Sequence, residues 1–241
     1  MKSLRKVIGN RKSLVFIDLE GTQFSHEMIA IGAVKVDLHK DCSVKKIHKK
    51  FYRVVLAKNK VGRVVVELTG LTDEIVKKEG VRFRNAILDL KKYVGRDFNK
   101  TLFIAYGNHD ARILAQSLIY NLDAPTEDVK IMIKHFFDFS DWISNYVRDD
   151  NFNTYSLSNM LNLFEVEFIG EKHNAFADTI NLVRLYDAII KRNDILTEQY
   201  VKTLSKAHGL NEPVSTLIKR LLVEKKTTSY EDFYKIIKYS L

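Results

Sequence analysis

Four acidic residues and one histidine stand at the margins of apolar segments, where folding could bring their side chains together. In the run FIDLEGT, Asp18 and Glu20 flank Leu19, so on a strand both carboxylates leave the same face. Aspartate is depleted in strands and costly when buried, yet here it ends a four-residue apolar run. Asp110 stands in IAYGNHDARIL, after another apolar run and at the start of a helical pattern. HNAFADTINLVRLY places His173 five residues before Asp178. Carboxylate oxygen and imidazole nitrogen are the metal-holding groups open to this chain, because its one cysteine, Cys42, excludes a multi-thiolate site and an internal disulfide. Each feature also has an ordinary reading. A strand surfacing at Asp18 leaves both acids in water, Asp110 and Asp178 suit the positive ends of helices, and His173 is then a loop residue.

The elements that must position these groups follow from periodicity. Residues 14–20, 27–37 and 44–56 read as three consecutive strands, the first apolar on both faces as a central strand is, the third alternating in places. Helical periodicity is expected at 72–79, after the turn-like LTG of 68–70, and again at 84–94. TLFIAYG (101–107) is a short strand running into a helix over HDARILAQSLIY, and IKHFFDFS (133–140) repeats the strand alternation. Helices are expected near 140–148, 155–164 and 175–191. A strand meander followed by alternating strands and helices indicates an α/β fold, a mixed sheet with helices packed on it. From about 195 the pattern is helical alone. NEPVSTLIKRLL offers an Asn211 cap with Pro213 in the first turn, and SYEDFYKIIKYSL offers a Ser229 cap followed by two acids. We therefore expect a main domain over 1–193 and an all-helical C-terminal extension over 194–241, docked on it.

The 241 residues suffice for a large core, and 39 Lys and Arg against 30 Asp and Glu give a formal charge of +9. That excess favours a polyanionic partner. The basic N-terminus carries an apolar run of only Leu14 to Ile17, too short for a signal-peptide core, and no later run approaches membrane-spanning length, so a cytoplasmic location is expected. Trp142, Phe136, Phe137 and Phe139 read as core, and His109 as a surface or helix-start residue. KKIHKKFYR (45–53) reads as a solvated strand face whose bases and aromatics could also meet a nucleic-acid backbone.

Taken in order, the three acidic motifs resemble the signatures of the DnaQ-like 3′→5′ exonucleases of the DEDDh branch. These are Asp-x-Glu-x-Thr at Asp18, Glu20 and Thr22, an Asp after a strand and small turn at Asp110, and His-x-Ala-x-x-Asp at His173, Ala175 and Asp178. The resemblance covers roughly residues 12–192 and extends to HEMIAIGAVKVD, LTGLTDEIV and YSLSNMLNLF, which look most like the subgroup that trims RNA 3′ ends, alongside related bacterial exonucleases. Thr179 departs from the small residue usual in the family. The resemblance implies a ribonuclease H-like sheet and a 3′→5′ exonuclease acting on single-stranded RNA or DNA with a free 3′ end, RNA favoured. It implies two divalent cations, Mg²⁺ or Mn²⁺, held by Asp18, Glu20, Asp110 and Asp178, with His173 as general base and Leu19, Gly21 and Thr22 against the substrate. The alternatives are a DNA proofreading or repair exonuclease, and a catalytically silent nucleic-acid-binding module. Five residues of continuous helix would turn His173 and Asp178 about 140° apart, so His173 is expected in the loop before the helix.

Overall fold

The computed structural model describes residues 2–206 and 214–240. Seven strands form one sheet. They are β1 (Ser13–Gly21), β2 (Met28–Leu38), β3 (Val44–Ile47), β4 (Phe51–Leu56), β5 (Val81–Arg82), β6 (Phe103–Ala105) and β7 (Phe136–Asp138). The order is β5-β4-β2-β1-β6-β7, with β3 also paired to β2. Because β2 is antiparallel to β1 and β4, and β6 and β5 are parallel to those two, β1, β4, β5, β6 and β7 all run one way. Their carboxyl ends therefore share one edge of the sheet.

As its composition requires, β1 is central, with Leu14, Val15, Phe16 and Ile17 at most 1% exposed. Val15, Ile17 and Leu19 on one face join Ile31 and Ala33 of β2 in a core shared with helices Phe83–Val94, His109–Tyr120 and Thr126–Lys134. The opposite face is covered by helix Ala175–Lys191, whose Tyr186 ring meets Phe16 at 5.3 Å.

Several elements differ from the sequence expectation. The strand expected over 44–56 is interrupted at 48–50, where three residues stand opposite only Val34 and Lys35 of β2, while the His48 N–H still donates to the Lys35 carbonyl at 2.9 Å. The strand expected over 133–140 narrows to β7, because helix Thr126–Lys134 runs into its start. The helix expected at 140–148 is Phe139–Ser144, and helices Lys2–Ile8 and Arg63–Thr69 were not expected. Trp142 and Phe139 are buried as expected.

By contacts the chain forms two compact units, Met1–Ser140 with Ser156–Lys191, and Asp141–Tyr155 with Arg192–Leu241. Within the second, the Tyr146 ring lies 5.3 Å from Trp142 and 5.2 Å from Tyr200, and the Arg148 N–H donates to Thr203 Oγ1 at 3.3 Å. Helix Tyr230–Ser240 starts on the expected cap, the Asp232 N–H donating to Ser229 Oγ at 3.1 Å. The Asn211 and Pro213 cap lies outside the described residues. Among the described residues no helix is long and apolar enough to cross a membrane.

Candidate active site

Cross-strand pairing places Asp18 opposite Gly32 and Glu20 opposite Ala30, so both acids emerge beside very small residues of β2. The space over Gly32 is taken by helix Ala175–Lys191. A Cβ at Gly32 would stand 2.2 Å from the Ala175 carbonyl oxygen. This close approach delivers Asp178, in the first turn of that helix, to the two acids of β1. Asp18, Glu20 and Asp178 each offer an oxygen, and these lie within 4.8 Å of one another.

Asp110 enters from the other side of β1. The ladder to β6 is short, pairing Val15 and Phe16 only, so farther along that edge the Leu19 N–H needs another acceptor. Asp110 Oδ1 accepts from it at 2.7 Å. Asp110 is thus tied between Asp18 and Glu20, close enough to act on both charges, while the tightest group is the other three acids. The Gly107 N–H donates to Asp138 Oδ1 at 3.0 Å, which holds the turn leading to Asp110.

His173 lies before the helix, as expected, with φ 61° and an exposed side chain. Its backbone N–H donates to Asp178 Oδ2 at 2.9 Å. Asn174 caps the helix, its Oδ1 accepting from Phe176 N and Ala177 N at 3.2 Å. Leu19, Gly21 and Thr22 have their side-chain positions turned inward. Leu19 belongs to the core, a Cβ at Gly21 would press on Ile113 at 2.9 Å, and Thr22 Oγ1 accepts from the Glu27 N–H at 2.9 Å.

Burial and mutual repulsion dominate the electrostatics. Burial raises the pKa of Asp18 well above the carboxylate range, and Asp110, Glu20 and Asp178 raise it further. Glu20 is pushed up to about 8 by burial and then by Asp178 and Asp110. Asp110 is pushed up to about 7, chiefly by burial and against the Leu19 N–H bond. Burial also raises Asp178, partly offset by the His173 N–H and the nearby charges of His173 and Lys172. Among the described residues none of the four acids forms an ion pair with a lysine or arginine. Converging oxygens without a cation of their own fit a hard divalent ion, which would relieve their repulsion.

Residues 15–186 match the exonuclease family RNase_T. The chain belongs to this family. The resemblance to DnaQ-like exonucleases, the ribonuclease H-like fold and the enzyme class are borne out with it. This exonuclease-family chain also matches solved structures. Cell-death related nuclease 4 (CRN-4) superposes with a TM-score of 0.59 at 18% identity, over 75% of this chain and 64% of that one. The nuclease domain of 3′hExo, a DEDDh family member bound to rAMP, gives 0.60 at 17%, over 76% and 94%. E. coli Exonuclease I in complex with a dT13 oligonucleotide gives 0.58 at 16%, over 80% and 44%. At these identities the likeness is one of fold, and the chain spans less than two thirds of the first and third proteins. No curated protein sequence matches it.

Four contributors escaped the sequence reading. Gly32 carried a usable signal, since a glycine inside an apolar strand marks a close backbone approach. Asn174 carried another, as a capping residue type just before an apolar period. Tyr52, paired with Gly32 from the far side, stands near enough to Glu20 for that charge to raise its pKa, after burial. Neither it nor Asp138 had a local signal.

Proposed function

We propose that the protein is a metal-dependent 3′→5′ exonuclease that hydrolyses the phosphodiester bonds of single-stranded nucleic acid from a free 3′ end, with RNA favoured. The observation that carries this reading is the convergence of Asp18, Glu20 and Asp178 within 4.8 Å, half-buried, mutually repelling and without an ion pair to a lysine or arginine among the described residues. A silent binding module has no use for such a cluster. Asp18, Glu20, Asp110 and Asp178 would hold two divalent cations, Mg²⁺ or Mn²⁺, which when bound supply an activated water and stabilise the leaving oxygen. His173, outside the cluster yet tied to Asp178 through its backbone, takes the proton of the attacking water. Leu19, Gly21 and Thr22 meet the substrate through main-chain atoms, since their side-chain positions face inward. Chemistry belongs to residues 1–193, with 194–241 as a helical extension, and the enzyme works in the cytoplasm.

The preference for RNA rests on the softer sequence features HEMIAIGAVKVD and YSLSNMLNLF. The test is a panel of RNA and DNA single strands labelled at either end, with and without Mg²⁺. Stepwise shortening from the 3′ end only with metal is expected, faster on RNA. Shortening from the 5′ end, or equal turnover in EDTA, sinks the reading, and faster cleavage of DNA reverses the substrate preference.

A further inference from the structure

The acid cluster occupies only one stretch of the sheet edge at which the strands end. Farther along that edge, β4 ends at Leu56 and β5 at Arg82, and a cavity of about 760 Å³ opens there. Its wall sets Lys58, Lys60, Lys77 and Arg82 against Asp73 and Asp123. The four cations are exposed, and none forms an ion pair among the described residues. One oxygen of Asp73 is already occupied by the Val61 N–H at 2.8 Å.

The loop that carries two of these lysines is rigidly built. Glu27, 1% exposed, accepts from the N–H groups of Lys58 and Asn59 at 2.9 Å and from the Asn59 side chain at 3.0 Å. The Gln23 N–H, in the turn that follows Glu20, donates to the Val61 carbonyl at 2.8 Å. The basic loop is therefore bonded to the same turn that leaves the acid cluster. Glu20, Ala30 and Val54 form one row across β1, β2 and β4, so β4 lies two strand spacings, roughly 10 Å, from Glu20.

We propose that this cavity is a second nucleic-acid subsite, which holds the phosphodiester backbone of the strand several nucleotides upstream of the 3′ end being cut. Unpaired cations on a preorganised loop suit a polyanion, and their position on the edge that carries the acids suits the uncut part of the same strand. The assignment rests on the exonuclease reading above.

The test compares wild type with the triple variant Lys58→Gln, Lys77→Gln, Arg82→Gln on two substrates. A dinucleotide has a single phosphodiester, the one cut, and leaves none for the cavity. A strand of about twenty nucleotides reaches it. Each phosphate contact on a single strand contributes about 0.7 to the slope of log affinity against log salt, so three lost contacts should lower that slope by about 2. KM for the long strand should rise about tenfold or more, with dinucleotide turnover unchanged. An unchanged KM and slope on the long strand overturn the subsite and leave the exonuclease reading intact. A matching loss on the dinucleotide overturns it too, since the variant has then disturbed the acid cluster. If wild type cuts neither substrate, the exonuclease reading fails. The salt slope of long-strand binding in EDTA, by fluorescence anisotropy, then decides the subsite separately.

Discussion

His173 holds a left-handed backbone, φ 61°, that residues other than glycine adopt at a cost of about 1 kcal/mol, and it points Asp178 by a backbone bond rather than through its ring. Two substitutions separate these roles. His173→Gly relieves the backbone and keeps the N–H that binds Asp178, so it should be at least as stable as wild type. As the loss of a general base it should still lower kcat by about 10²–10⁴-fold, with oligonucleotide affinity retained. Thermal melting and steady-state kinetics check both halves, and near-normal turnover would return His173 to the status of a loop residue. Glu20 gives a prediction of opposite character. Its pKa rises from 4.5 to about 8 on folding, so the folded state favours the proton and folding takes one up. Stability from this group is then full below about pH 4.5 and falls as pH rises towards 8. In EDTA, the melting point of wild type should drop from pH 5 to pH 8.5 relative to that of Glu20→Gln, and Mg²⁺ should abolish the difference. Parallel pH curves for the two proteins in EDTA would remove Glu20 from the repelling cluster.

At the scale of elements, the seating of helix Ala175–Lys191 on Gly32 is the joint on which the site depends. Gly32→Ala puts a methyl group against the Ala175 carbonyl, and overpacking of this kind costs about 1–3 kcal/mol. Because the displaced element carries Asp178, turnover should fall further than stability does, and Mg²⁺ should raise the melting point less than in wild type. A variant with normal turnover would show that the helix can shift without moving its acid. This joint also marks the limit of what the sequence disclosed. Asp18 and Glu20 were legible because their relation is local, two residues on one strand, and so was the placing of His173 ahead of its helix. The Asp110 bond to Leu19 joins residues ninety-one positions apart and has no local period. Strands β1 and β2 and helices Phe83–Val94, His109–Tyr120 and Ala175–Lys191 were legible because each buries a regular apolar set. Helix Arg63–Thr69 was not. It buries no residue, its Val64–Val66 run favours a strand, and the Gly70 of its left-handed cap reads as an ordinary turn.

At the scale of the whole molecule, the second compact unit draws on two stretches of sequence, so its parts cannot be removed one at a time. A chain ending at Asn193 takes Tyr200 and Thr203 away from Tyr146 and Arg148. It should melt below the full chain and bind more apolar dye, yet keep dinucleotide turnover, because the four acids and His173 all belong to the first unit. Turnover lost from a truncated protein whose circular dichroism shows it folded would assign the extension a part in the site. The order of residues along the chain adds a matter of timing. Asp18, Glu20 and Asp110 have all been synthesised once Tyr120 has, whereas Asp178 arrives on the helix that completes the first unit, with Asp141–Tyr155 made in between. Asp178 adds to the repulsion on both Asp18 and Glu20, so part of it falls on the last docking event of that unit. On the metal-dependent reading proposed above, a divalent cation held by the acids would ease that event, so metal supply should set how fast the chain completes its fold as well as how stable it is afterwards.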